Sequence, residues 1–196
     1  MIQFKSFDPA IEVSGKAMLS VIDGMGIFKN IGIEILKRHG IHDVNPYKWY
    51  SQQAWLDSFK EIYETIGEAT LVKIGESVPY NAAWPENIKN LEDALYAINV
   101  SFHLNHRKNG KILYDADNNI FFQGIGEYII EKNNDKDFLV ICKNSYPCDF
   151  DRGIITGTVK KYKPEELSMD DIKIMHLDGK CRKKGDDLCV YNVICK

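Results

Sequence analysis

No apolar run in the 196 residues approaches the roughly 20 that a membrane-spanning helix needs. A strong charge of either sign is also missing. The 25 Lys+Arg against 28 Asp+Glu leave a net charge of −3, which excludes a broad nucleic-acid footprint. The start, Met1-Ile2-Gln3-Phe4-Lys5-Ser6, lacks the charged-then-apolar form of a secretory leader, so a cytoplasmic location is the default expectation. Repeats, linkers and low-complexity segments are absent. A chain of this length fits one large domain, or one domain with a helical appendage.

Catalytic and nucleotide signatures are scarce too. Gly24-Met25-Gly26 supplies half of a dinucleotide fingerprint, but Lys29 stands where the next glycine belongs and no clear strand leads in. Close helix packing is the simpler reason for these glycines. No flavin fingerprint, nucleophile–base pair, DNA-binding helix-turn-helix or ATPase segment is legible. Asp149, Asp151 and Arg152 beside Cys148 are explained as charges complementing a helix start. The five cysteines are an odd number, which rules out a scheme of internal disulfides alone and favours thiols or metal ligands.

What is present divides into two halves. Apolar residues at helical spacing predict a helix over about Met18–His39, with Phe28, Ile31 and Ile35 on one stripe and Gly40 as its stop. A second helix is expected after Asn45, with Pro46 at its first position. Its stripe of Trp55, Phe59, Ile62 and Ile66 reads as core or as a dimer contact. Glu68–Val78 forms a third helix, Pro79 and Pro85 bracket a loop with Tyr80 and Trp84, and Leu91 to about Arg107 forms a fourth.

Beyond Asn109-Gly110 the pattern changes to strands: Ile112–Tyr114, Ile120–Phe122, Gly126–Glu131 and Phe138–Cys142. The run Phe138-Leu139-Val140-Ile141 is apolar throughout, which predicts burial on both faces. A helix over Cys148–Tyr162 and strands over Ile172–Leu177 and Leu188–Cys195 complete the chain. The fold class is therefore α+β: N-terminal helices, then an antiparallel sheet crossed by a helix.

Three cysteines fall where this fold could gather them. Cys181 and Cys189 flank seven residues containing the turn Lys184-Gly185-Asp186-Asp187, and Cys148 follows Pro147 at a helix start that favours a thiolate. Asp178 is the nearest carboxylate and His176 a substitute. Such a set suits tetrahedral zinc, and Lys180, Arg182, Lys183 and Lys184 would offset its negative charge. Spacing alone leaves buried thiols as the other reading. Cys195 lies about 20 Å along its strand from Cys189, and Cys142 reads as a small core residue.

The pattern Cys148-x4-Gly153-x3-Gly157, followed by Asp178-x2-Cys181-x7-Cys189, resembles the 4-vinyl reductase domain family, closely over roughly the last 85 residues. That family includes sensor domains of phenol-responsive activators, and its fold is shared with haem nitric-oxide sensors and certain Golgi-transport subunits. The resemblance implies a structural zinc held by Cys148, Cys181 and Cys189, with Asp178 in the position of a glutamate. It divides the chain into a helical, dimer-forming region over 1–80 and a zinc-clasped ligand-binding domain over 81–196. Gly153 and Gly157, one turn apart, would leave a bare helix face open to a strand or a ligand.

Two functions follow from the likeness. The first is a sensory or carrier module for a small, largely apolar ligand. Its pocket would be lined by Phe102, Phe121, Phe122 and Tyr128, with His103 or His106 as anchor, and its output would pass through a dimer or a downstream signalling protein. The second is a tetrapyrrole carrier or haem gas sensor with His106 or His103 as axial ligand. The Tyr-x-Ser-x-Arg propionate motif of the haem sensors is absent from the sequence.

Overall fold

The computed structural model describes residues 3–196. A short strand β1 (Ile11–Ser14) runs straight into helix α1 (Gly15–Gly24), because the Ser14 hydroxyl accepts from Ala17 N and caps the helix. The single helix predicted over 18–39 is broken at Gly26, whose φ of 54° is left-handed. A turn of 3-10 helix intervenes before α2 (Lys29–Arg38). The break rotates the predicted stripe, so that Ile35 is fully buried while Ile31 faces solvent. Gly40 stops α2 with φ 79°, as expected.

Asn45 does not cap a helix. Its side chain accepts from Tyr47 N, a local turn, and strand β2 (Trp49–Ser51) follows. Ser51 then caps α3 (Gln52–Thr65). Trp55, Phe59 and Ile62 of α3 are at most 2% exposed inside this chain, so the stripe offered as a dimer surface fills the molecule's own core. Helix α4 (Glu68–Asn81) carries Pro79 in its last turn, and α5 (Leu91–Leu104) is capped by Asn90. The helix predicted to reach Arg107 ends earlier. His106 opens strand β3 (His106–Lys108), and Asn109-Gly110, both at positive φ, make the hairpin turn to β4 (Lys111–Ile112). Strands β2, β1, β3 and β4 form one antiparallel sheet in that order. It joins residues either side of position 80, and the hydrophobic core is continuous across that point.

A small hairpin, β5 (Tyr114–Asp115) with β6 (Ile120–Phe121), precedes the main sheet. That sheet contains β7 (Gly126–Asn134), β8 (Asp137–Asn144), β9 (Ile172–His176) and β10 (Cys189–Cys195), in the order β7-β8-β10-β9, all antiparallel. Burial alternates along β8. Phe138, Val140 and Cys142 are buried while Leu139 and Ile141 are half-covered, so this strand has one core face, not the two its apolar run predicts.

Helix α6 (Cys148–Tyr162) matches its predicted span. Its glycines are used differently from expectation. A Cβ on Gly153 or Gly157 would strike the Val72 or Glu76 carbonyl of α4, and one on Gly75 the Phe150 carbonyl of α6. The bare face therefore meets another helix, backbone to backbone. No described helix is long and apolar enough to cross a membrane.

Candidate metal centre and apolar cavity

The thiols of Cys148, Cys181 and Cys189 converge, with all three sulfurs within 4.8 Å of one another. Cys148 comes from the first turn of α6, Cys189 from the start of β10, and Cys181 from the loop that feeds it. Local chemistry folds that loop back. Asp186 Oδ2 accepts from Cys181 N at 2.8 Å, Lys184 N donates to Cys181 O at 2.8 Å, and Gly185 turns the chain at φ 93°. The Cys148–Cys181 sulfur separation is 3.8 Å and Cys148–Cys189 is 2.8 Å. A tetrahedral zinc with Zn–S near 2.3 Å sets its sulfurs about 3.8 Å apart.

Further donors surround the thiols. Gln3 Nε2 donates to Cys148 Sγ at 2.7 Å, and Arg182 N to Cys189 Sγ at 3.3 Å. The hydrogen bond from the Cys148 thiol lowers the Cys189 pKa, helped by Arg182, and the same contact together with burial raises Cys148. Cys189 is thus the thiolate of the pair, ready to ligate. The donor set and the Cys148–Cys181 spacing fit a thiolate-bound metal, while Cys148 and Cys189 lie closer than two sulfurs on one zinc and would have to part by about 1 Å to share it. Asp178 lies exposed in the β9–β10 connection, outside the group of converging ligand atoms, and His176 is exposed against the Tyr191 ring. Cys142 is a buried core residue, as expected.

Beneath the thiols is a buried ion pair that residue spacing did not suggest. Arg182 contacts the Asp151 carboxylate, and both side chains are fully removed from solvent. The Arg182 guanidinium also donates to the main-chain and side-chain oxygens of Asn144, and Tyr128 OH donates to Asp151 at 2.6 Å. Burial pushes the Asp151 carboxyl up to about 6 against the pull of Arg182. Asp151 reads in sequence as a charge complementing a helix start, and only tertiary packing shows that it is buried.

Tyr128 links this network to an apolar cavity of about 50 Å³. The wall is built from β1 and α1 (Val13, Ala17, Val21), the α4 end (Val78) and the loop after it (Trp84), α5 (Ile98, Phe102), His106 at the start of β3, and Tyr146, Phe150 and Ile154. Of the predicted pocket residues, Phe102, His106 and Tyr128 line it. His103 packs against Phe121 with Nδ1 on the Asn99 carbonyl, and Phe122 lies half-buried under the Lys111 ammonium. Neither of the two is on the wall. Tyr146 and Trp84, which are on it, carry no spacing signal.

The hydrogen bonds of His106 fix its tautomer. Nδ1 lies 2.6 Å from the Phe102 carbonyl, an acceptor only, so Nδ1 carries the proton. Nε2 then accepts from Tyr146 OH at 2.8 Å. Burial holds the His106 pKa down to about 4, so the ring is neutral near pH 7.

No family model matches the chain, so the likeness to 4-vinyl reductase domains rests on the motif residues alone; nor does any curated protein match. Solved structures do. An H-NOX protein from S. oneidensis in the Fe(II)NO ligation state aligns over 93% of this chain and 99% of its own, with TM-score 0.60 and 12% identity. A Cs H-NOX mutant carrying 4-cyano-L-phenylalanine aligns over 93% and 96%, with TM-score 0.61 and 15% identity. A structure probing haem distortion in the H-NOX family aligns over 93% and 95%, with TM-score 0.61 and 15% identity. At such identities the likeness defines the fold, and the expected kinship with the haem nitric-oxide sensors holds at that level.

Haem can be tested against the residues present. His106 has the carbonyl-held Nδ1–H typical of a metal-ligating imidazole. Its Nε2 is spent on Tyr146, however, and the wall bears no Lys or Arg for propionates. The cavity would hold only a few waters at roughly 10–15 Å³ each. As arranged, the site does not fit a macrocycle.

Proposed function

We propose that this chain is a ligand-sensing or carrier domain of the H-NOX fold, clasped by a thiolate-bound zinc and taking a small, uncharged, largely apolar molecule in the cavity beside His106. The observation that carries the reading is the convergence of Cys148, Cys181 and Cys189 within 4.8 Å. Zinc is the ion that such sulfur donors suit, with Asp178 the proposed fourth ligand through movement of its exposed loop. Four protein ligands would close the site, making its role structural. Sensing would then fall to the cavity, and any output to a second copy or a signalling partner. Native mass spectrometry with elemental analysis, after metal-replete expression without chelator, tests this. One zinc per chain is expected, and a chain that carries none would refute the clasp.

One observation favours a second reading, a haem or other tetrapyrrole bound through His106. Its Nδ1 is already oriented by the Phe102 carbonyl, so exchange of the Tyr146 hydroxyl at Nε2 for iron would complete a ligand, provided the cavity opens. Absorption spectra after incubation with haemin decide this: a Soret band lost in H106A supports it, and free-haemin spectra throughout reject it.

A further inference from the structure

We propose that the outer face of the β7-β8-β10-β9 sheet is a contact between two copies of this chain, packed sheet on sheet about a two-fold axis parallel to the strands. The contact depends on neither the cavity nor the thiols. Strand register divides the side chains of the sheet between two faces. On the inner face Tyr128, Ile130, Val140, Cys142, Tyr191 and Val193 are at most 9% exposed. On the outer face the cross-strand row Ile129, Ile141 and Val190 adjoins the row Glu131, Leu139, Asn192 and Met175, with Ile194 beyond. Every apolar side chain in these rows keeps some exposure, reaching 36% at Ile129 and 41% at Met175, so the helices cover the inner face alone. Asn192, in the middle, donates to Asp137 Oδ1 at 2.5 Å and Phe138 O at 3.2 Å, which leaves the centre of the patch mostly carbon.

Charge selects the occupant. The two edge strands carry opposite signs on this face, Glu127 and Glu131 on β7 and Lys173 on β9. Glu127 stands opposite Lys143 of β8. Glu131 and Lys173 are exposed, and neither has an ion-pair partner among the described residues. A two-fold axis parallel to the strands sets β7 of one copy over β9 of the other, so Glu131 meets Lys173 of the partner subunit, twice per dimer. An axis across the strands would stack β7 on β7, acid on acid. Packed sheets keep their strands within about 30° of each other, which both axes satisfy, so charge decides between them. Four strands about 4.8 Å apart, over about seven residues at 3.3 Å each, make a face of roughly 400 Å². Two such faces fall below the roughly 1,200 Å² of a standard interface, which makes the dimer weak and reversible.

Sedimentation velocity of the full chain, from micromolar to millimolar concentration, makes the test. A monomer–dimer equilibrium is expected. E131K and K173E should each weaken it about tenfold, because symmetry repeats the contact, and the E131K/K173E double variant should return it to the wild-type level. I141E, at the centre of the patch, should leave a monomer. Far-UV circular dichroism checks that each variant is folded; the charge swaps sit at exposed positions and suffice should I141E unfold. A chain monomeric throughout overturns the proposal. So does a dimer unaffected by either single swap or by folded I141E, or a double variant that dimerises no better than the singles.

Discussion

The guanidinium of Arg182 lies against the carboxylate of Asp151 with neither side chain exposed to solvent. The two come from opposite sides of the thiol cluster, Asp151 one turn into α6 after Cys148 and Arg182 next to Cys181. Burial disfavours the charge on Arg182, and the Asp151 carboxylate beside it more than offsets that. Removing one partner strands the other charge, at a cost of about 3–5 kcal/mol. We expect R182M and D151L each to lose stability on that scale in urea unfolding, and the R182M/D151L double variant to recover much of it. Additive losses in the double variant would show that the pair is not coupled.

The thiol cluster gives a second prediction. C181S is expected to abolish zinc binding and lower the melting temperature of the metal-loaded protein, whereas C142A keeps the metal, because Cys142 sits in the core outside the converging set. D178N should weaken zinc retention against a chelator if its loop supplies the fourth ligand. Colorimetric zinc release with thiol titration separates these cases. A Cys148–Cys189 disulfide in non-reducing peptide maps of zinc-replete protein would contradict metal ligation.

The α4–α6 contact gives a third. Gly153 faces the Val72 carbonyl so closely that an added Cβ collides with main chain, which cannot rotate away. G153A should therefore cost about 1–3 kcal/mol through overpacking, although alanine favours helix more than glycine does. G185A should also destabilise, for a different reason: its φ of 93° is disfavoured for any residue with a Cβ, while open space surrounds it. Chemical denaturation of both variants measures the two costs.

Sequence pattern fared best where punctuation is strong. Helix α6 was legible to its ends because Pro147 and Pro164 bracket it, and the thiol convergence followed from a turn around Gly185. Pattern failed where distant pairing decides. The three-residue strand β2 exists only because β1 offers it an edge, and β3 takes His106 out of the preceding helix by pairing with Val13. The Phe102–His106 spacing was nonetheless useful, since both still line the cavity. The burial of Asp151 and Arg182 was illegible because first-turn acids and basic loops are ordinarily solvated.

His106 gives the last prediction, through proton linkage. Its folded pKa of about 4 lies below the roughly 6.5 of an unfolded histidine, so the unfolded chain binds the proton first as pH falls. The neutral ring's stability is thus complete above pH 6.5 and is lost progressively toward pH 4. Between about pH 8 and about pH 5 the loss should be about 2 kcal/mol. Burial is the cause, and the Phe102 carbonyl, which favours the charged ring, only partly opposes it. In H106N the amide cannot titrate, so its urea-unfolding free energy should fall by about 2 kcal/mol less than wild type over that interval. Wild type and H106N falling in parallel would mean that His106 titrates normally, and that neither its Tyr146 contact nor its burial persists in solution.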